Sequence, residues 1–217
     1  LLSVNPELGE DLIKLFNYLT GFSKPQAFKK LLVAPLTLRK GMEELITREI
    51  KLAKNGQTAK IKAKMNSLVD PKIINLLYEA SQAGVKIHLI VRGMCCLYPQ
   101  RKGLSENIKV ISIIGKYLEH SRVFWFYNNG DPEVFIGSAD WMRRNLDRRV
   151  EAVTPIEDKK LKIQLSDLLD IYLHDNRNAW EMEENGNFVQ RKPKGKEWCA
   201  QKKFLEGIEN NISHNDK

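Results

Sequence analysis

The sequence contains only three cysteines, Cys95, Cys96 and Cys199. They are too few and too unevenly spaced for a disulfide framework or a zinc ligand set. An adjacent Cys pair makes a poor disulfide, so the expectation is reduced, buried thiols in a cytosolic protein. No apolar run approaches the roughly 18 residues that a membrane span requires. The opening Leu1-Leu2 is too short for a signal peptide and has no basic flank. No internal repeat is visible, and basic and aromatic residues do not alternate as they would over a sheet that binds single-stranded nucleic acid. The chain lacks an initiating Met and enters a helical pattern almost at once, which suggests a segment of a longer protein.

Charge, by contrast, is plentiful and unbalanced: 35 Lys and Arg face 27 Asp and Glu, a net charge of +8. Such an excess favours anionic partners, whether phosphate chains, nucleotides, nucleic acid or anionic lipid, without choosing among them. A length of 217 residues suffices for one sizeable core and is short for two large domains.

Apolar residues recur at helical spacing over 6–19, and Gly21 follows as a stop. A short strand over 31–35 leads to Thr37, the expected N-cap of a helix that ends at Asn55-Gly56. Residues 59–65 alternate strictly, with Ile61, Ala63 and Met65 on one face and lysines on the other. Asp70-Pro71 opens a helix that runs to Gly84, and 85–91 form another strand. Strand, helix and strand make a βαβ unit, hence a parallel pair. A loop over 92–105 is long enough to suggest a functional role. Further strands are expected at 108–114, 122–127, 133–136 and 148–153, with a hairpin turn at 128–132, and a helix at 157–174. A small hairpin, the basic loop 191–196, a last short helix and a frayed polar end at 210–217 complete the chain. The predicted class is α/β, a mixed and mostly parallel β-sheet flanked by helices. The predicted division is a helical segment at 1–58, a core at 59–180 and a hairpin, loop and helix at 181–217.

Four stretches carry chemistry: Arg92-Gly93, Glu119-His120-Ser121-Arg122, Gly137-Ser138-Ala139-Asp140 and 145–151. A histidine at a strand end beside a cation can attack phosphorus or donate a proton to a leaving oxygen. Arginine grips phosphate oxygens in a two-point fork, and Arg92 stands where ligands of α/β sheets usually sit. The small Gly137 and Ser138 would let a phosphate approach the backbone. Alternatives stand beside these readings. Arg122 also suits an ion pair with Glu119 or Asp140, Ser138 and Asp140 suit turn chemistry, and Lys64 and Asn66 suit a solvated strand end. His88 fits a strand residue facing a helix or solvent, His174 a helix end, and Trp125 and Trp141 suit packing.

His-x-Arg followed by Gly-Ser-x-Asp resembles the phospholipase D signature, His-x-Lys with an Asp and then Gly-Ser-x-Asn. It departs from that signature at Arg122, at Tyr127 in the Asp position, and in a Gly-Ser pair three residues late. With these departures the strings KMNSLVDP (64–71), GVKIHLIVRGMCCL (84–97), GLSENIKVISIIGKYLEHSRVF (103–124) and GSADWMRRNLDRRVE (137–151) resemble the C-terminal domain of bacterial polyphosphate kinase. The opening over 6–22 does so too, and the resemblance covers roughly residues 1–180.

The resemblance implies a phospholipase-D-like fold and half of a site that moves the γ-phosphoryl group of ATP reversibly to polyphosphate, with Mg2+. His120 matches the family's second histidine, which acts with ATP phosphates and in proton transfer, and Arg92 matches an ATP-binding arginine. Arg122 joins them as a phosphate ligand, followed by Lys64, Asn66, Ser138 and Asp140. The phosphorylated histidine and the Mg2+-associated positions belong to an earlier domain, so no metal ligand is expected in this chain. Expected partners are ATP, ADP, polyphosphate and the other domains of the same enzyme. The full-length protein is expected to form a homo-oligomer in the cytoplasm, peripheral to the membrane at most, and to bind no specific nucleic acid. The rival readings are a phospholipase-D-like phosphodiesterase or nuclease and a non-catalytic polyanion-binding module.

Overall fold

A computed structural model describes residues 2–22 and 27–215, with side chains described as far as residue 207. Helix α1 (Pro6–Leu19) starts where the Asn5 side chain accepts the N–H groups of Glu7 and Leu8. From its buried face Asp11 accepts three backbone N–H groups, from Lys29, Lys30 and Leu31. That clamp delivers the chain into β1 (Leu32–Ala34). Thr37 precedes α2 (Leu38–Lys54) as expected, yet its hydroxyl accepts the Val33 N–H instead of capping the helix.

Strand β2 (Lys60–Met65), α3 (Pro71–Gln82) and β3 (Lys86–Val91) form the expected βαβ unit, with Asp70 capping α3 through the Ile73 N–H. Then follow β4 (Ile108–Ile113), β5 (Val123–Phe126), β6 (Glu133–Gly137), α4 (Arg143–Asp147), β7 (Glu151–Ile156), α5 (Lys159–Leu173), β8 (Ala179–Met182), β9 (Phe188–Gln190) and α6 (Ala200–Asn215). The strand expected at 148–153 lies three residues later, because the unanticipated α4 occupies the chain before it. The backbone of α6 is helical to Asn215, so the frayed end expected from 210 onward is helix that far; residues 216–217 lie outside the described ones.

One nine-stranded sheet gathers these strands in the order β1-β7-β6-β5-β2-β3-β4-β8-β9. It is mixed, as expected, but the balance is not mostly parallel. Only β2–β3 and β3–β4 are parallel, and the other six pairings are antiparallel. The βαβ signal describes the centre, whereas β5 enters beside β2 in the opposite sense and hairpin connections then carry the sheet outward.

The alternation of β2 separates two cores. Ile61, Ala63 and Met65 pack with Met42, Ile46, Ile73 and Leu77 on the side of α2 and α3. On the other side, Ile90, Ile111, Trp125, Val134, Leu169 and Tyr172 pack under α5 and α6. Lys60, Lys62 and Lys64 point to this second side. Trp141 is fully buried and stacks on Phe124 at 5.2 Å, and Trp125 is buried, so both pack as expected. All three cysteines are free. Cys95 is half-buried and burial pushes its thiol up to about 11, while Cys96 is exposed, contrary to the expectation of buried thiols. No helix among the described residues is long and apolar enough to cross a membrane.

Candidate functional site

The C-terminal ends of β2 and β3 lie side by side because Met65 and Val91 are paired in register. The next residues, Asn66 and Arg92, therefore leave the sheet together, and the Arg92 Nε donates to Asn66 Oδ1 at 3.0 Å. Gly93 lets the two segments close up: a Cβ there would meet the Asn66 carbonyl oxygen at 3.0 Å.

Asn66 is held in turn by Asp140, which follows β6 and is buried. Asp140 Oδ1 accepts the Asn66 backbone N–H at 2.8 Å and its Nδ2 at 3.2 Å. The same carboxylate takes a two-point fork from Arg122, Nε to Oδ1 at 3.1 Å and Nη2 to Oδ2 at 3.2 Å. Arg122 Nη1 then reaches His120, at 2.9 Å from its carbonyl oxygen and 3.0 Å from Nδ1. The same nitrogen lies 3.4 Å from Nε2, so the guanidinium sits against the imidazole ring as well as its backbone. A continuous hydrogen-bonded run thus joins Arg92, Asn66, Asp140, Arg122 and His120. The His120 ring is exposed, whereas its support is buried.

The residue before His120 is anchored from three other elements. Glu119 accepts from Tyr172 Oη on α5 at 2.5 Å and Gln201 Nε2 on α6 at 2.8 Å, and pairs with Lys64 Nζ of β2 at 3.2 Å. Lys64 also donates to Ser121 Oγ at 2.9 Å and lies over the Tyr172 ring. Burial holds the Lys64 ammonium below its ordinary pKa against the pull of Glu119, with Arg122 and Arg92 pressing the same way. Burial, and next the hydrogen bond to Glu119, raises the Tyr172 phenol.

The structure thus brings together Arg92, Asn66, Asp140, Arg122, His120 and Lys64. Lys64 and Asn66 are buried, not the solvated strand end their position suggested. Of the two partners considered for Arg122, the structure shows Asp140. Ser138 lies apart from this run. Its hydroxyl donates to the Glu151 carboxylate and accepts the Ala152 N–H, tying β6 to β7. The missing side chain of Gly137 serves close packing, since a Cβ there would lie 2.5 Å from the Ala152 carbonyl oxygen on β7. His174 caps α5, with Nδ1 2.7 Å from the Asp170 carbonyl oxygen, as its place at a helix end suggested. Sequence reasoning missed Tyr172 and Gln201. Neither carries a motif, and only the buried carboxylate beside His120 could have pointed to a need for donors.

Residues 31–202 match the family model described as polyphosphate kinase C-terminal domain 2. The chain is 67% identical to the polyphosphate kinase of Parasynechococcus marenigrum over 89% of its own length, spanning 27% of that protein. The crystal structure of polyphosphate kinase from Porphyromonas gingivalis superposes with a TM-score of 0.91 at 40% identity, covering 96% of this chain and 33% of that one. A phospholipase D family member, Nuc from Salmonella typhimurium, gives a TM-score of 0.50 at 14% identity over 71% of this chain and 97% of its own, a likeness of fold alone. The chain thus spans about a quarter of the length of its curated relatives. A phospholipase-D-like sheet, a match over most of the length and a close structural counterpart agree: the chain belongs to the polyphosphate kinase C-terminal domain family.

Proposed function

We propose that this chain supplies half of a site that transfers the γ-phosphoryl group of ATP reversibly to inorganic polyphosphate. The observation that carries the reading is the hydrogen-bonded run from Arg92 to His120 at the strand ends. Phosphoryl transfer passes through a loose transition state, so positioning and charge neutralisation dominate its catalysis. Arg92 spends only Nε on Asn66, and its two terminal nitrogens have no partner among the described residues. They form a ready clamp for phosphate oxygens. Arg122 is committed to Asp140 through Nε and Nη2 and to His120 through Nη1, so its main task is to orient the imidazole, and the second N–H of Nη2 is what it offers a phosphate. The exposed His120 imidazole then donates to the bridging oxygen as charge builds on it. Lys64 and Asn66 support these groups from beneath, and Ser138 and Asp140 hold the strand ends.

The residues present do not fit a resident Mg2+. Asp140 is taken by Arg122 and Asn66, and Glu119 by Lys64, Tyr172 and Gln201. Among the described residues no group of three or more His, Cys, Asp or Glu side chains converges. Any Mg2+ of the reaction is therefore assigned to the other domains of the full-length protein.

A partner domain is also suggested by the loop before His120, which exposes Ile114, Tyr117 and Leu118, the last at 73%. Contiguous exposed apolar groups mark a surface meant to be covered. ATP as substrate implies the cytoplasm, and the basic excess would suit a peripheral position of the full-length homo-oligomer at anionic lipid. Turnover of full-length His120→Ala tests the role of the histidine. A fall of about 10²–10⁴-fold is expected, and near-normal rates would sink the assignment. The isolated chain should make no polyphosphate from ATP, and robust synthesis by it would refute the half-site.

A further inference from the structure

A second cationic site lies at the opposite end of the same strands. Lys60 and Lys86 open β2 and β3 and are paired in register. Lys62, His88 and Lys109 form the next row across β2, β3 and β4. These side chains, with Arg191 from just beyond β9, line a cleft of about 390 Å³ closed on one side by α5. Strand geometry spaces the groups about 5 Å apart across the sheet and about 7 Å apart along it. Five cations face a single carboxylate in the lining, that of Asp170.

The charges are not equally engaged. Lys62 is neutralised by Asp170 at 2.6 Å and Arg191 by Glu181 at 3.0 Å. Lys60, Lys86 and Lys109 are exposed and have no carboxylate within ion-pair distance among the described residues. Burial, and next the neighbouring Lys109 and Lys62, hold His88 below its usual pKa, so at neutral pH it offers an uncharged N–H donor in the middle of the row. Lys86 donates to the neutral Asn107 side chain, so three ammonium groups stand together without a counter-charge, a repulsion that an anion would relieve.

The chemistry of the wall narrows the anion. Its nearest aromatic faces are already covered: the Lys60 ammonium lies 5.3 Å from the Tyr127 ring centroid and that of Lys62 4.9 Å from Trp125. No Phe, Tyr or Trp is among the described residues that line the cleft, so a single-stranded nucleic acid would gain little beyond its phosphate contacts here. A linear inorganic polyanion, which is nothing but phosphate, loses nothing by that.

We propose that the cleft lined by Lys60, Lys86, Lys109 and His88 is an accessory binding site for an inorganic polyphosphate chain. Six residue steps, about 20 Å, separate Lys60 from Asn66, and four, about 13 Å, separate His88 from Arg92, so the cleft is a separate site from the His120 run. Only the identity of the polyanion rests on the function proposed above.

The test is equilibrium binding of long-chain polyphosphate to the full-length protein, without ATP and across a range of salt. The combined Lys60→Gln, Lys86→Gln and Lys109→Gln variant should bind about tenfold more weakly. The slope of log affinity against log salt should fall by about 2, as for three lost phosphate contacts on a single strand. ATP affinity should not change. A control variant, Lys40→Gln with Lys51→Gln and Lys54→Gln on α2, removes the same charge from elsewhere and should match the unsubstituted protein. An unaltered affinity and slope in the cleft variant would overturn the proposal alone, as would an equal loss in the control. A loss confined to a single-stranded oligonucleotide would also overturn it, in favour of nucleic acid. Absence of polyphosphate binding by the unsubstituted protein would overturn both this proposal and the functional one.

Discussion

Lys64 and Glu119 meet 3.2 Å apart beneath the exposed His120, with their side chains 2% and 9% exposed. Moving two charges out of water is costly, and their attraction offsets that cost only while both are present. Lys64→Met should therefore destabilise the chain by about 3–5 kcal/mol, because it strands a buried carboxylate. The double variant Lys64→Met with Glu119→Leu should recover much of that loss. Urea unfolding midpoints decide the matter, and a single variant within about 1 kcal/mol of the parent would show that the pair is not load-sharing.

Glu119 also bears on catalysis through its neighbour. Its three donors come from β2, α5 and α6 and fix the backbone that presents His120. In the full-length protein Glu119→Gln should lower kcat by about 10–100-fold, since a misplacement of about 1 Å can cost that much, with the KM for ATP little changed. Amide exchange over 115–122 should quicken. A fall in affinity with an unchanged kcat would instead make Glu119 part of nucleotide binding.

The difference between what sequence patterns disclose and what they hide is physical. The βαβ centre is legible because β2 alternates and Asp70-Pro71 is a local helix start. Pairing of β1 with β7 has no local signal, since it joins residues far apart in the chain. The five residues of α4 are too few to show an apolar period. Lys64 reads as solvated because alternation reveals which side of a strand a residue faces, not that α5 covers that side. The motifs around His120, Arg92 and Asp140 are legible through resemblance, whereas the hydrogen bonds that join them depend on strand register. Gly137 ends a readable strand, yet that its missing side chain faces β7 follows only from the pairing of β6 with β7.

Gly137 accordingly yields a sharp expectation. A Cβ at that position would lie 2.5 Å from the Ala152 oxygen and 2.8 Å from the Val153 Cα, both backbone atoms that cannot rotate away. Gly137→Ala should cost about 1–3 kcal/mol of stability through overpacking. Thermal unfolding of the chain measures this, and an unshifted midpoint would mean that β6 and β7 separate freely.

Arg39 ties α2 to Asp70 and Asp147, donating to both carboxylates of the pair. Burial alone would raise the Asp70 carboxyl, but the Arg39 fork and the Ile73 N–H outweigh it and hold it below the ordinary range. Asp147 is lowered chiefly by its hydrogen bonds from Arg39. A carboxyl with a depressed folded pKa binds its proton less readily in the folded state. It contributes stability above the ordinary value of about 3.9, and that contribution fades as pH falls through the folded value. Arg39→Met should cost about 3 kcal/mol near neutrality, mostly through Asp70, because the more exposed Asp147 is screened by water. The gap between variant and parent should be widest above about pH 5 and narrow below about pH 4. Urea midpoints across that range test the sign, and a gap that widened in acid would contradict the assignment.

Arg122 stands where the phospholipase D signature has lysine, and the structure gives the arginine a task that lysine cannot repeat. Its planar fork grips Asp140 at two points while the remaining nitrogen reaches His120. A lysine ammonium is a single point on a flexible stem and can serve the carboxylate or the imidazole, not both. Arg122→Lys should therefore fail to restore the signature's function. The two-point charge-assisted contact is worth about 1.5–3 kcal/mol, and unfolding experiments should register a loss of that order. In the full-length protein kcat should fall by about 100-fold, because the ring loses the group that holds its position. A lowered kcat with ATP affinity largely retained is the result expected of a residue whose main task is to position His120, and a loss of ATP affinity at unchanged kcat would contradict it.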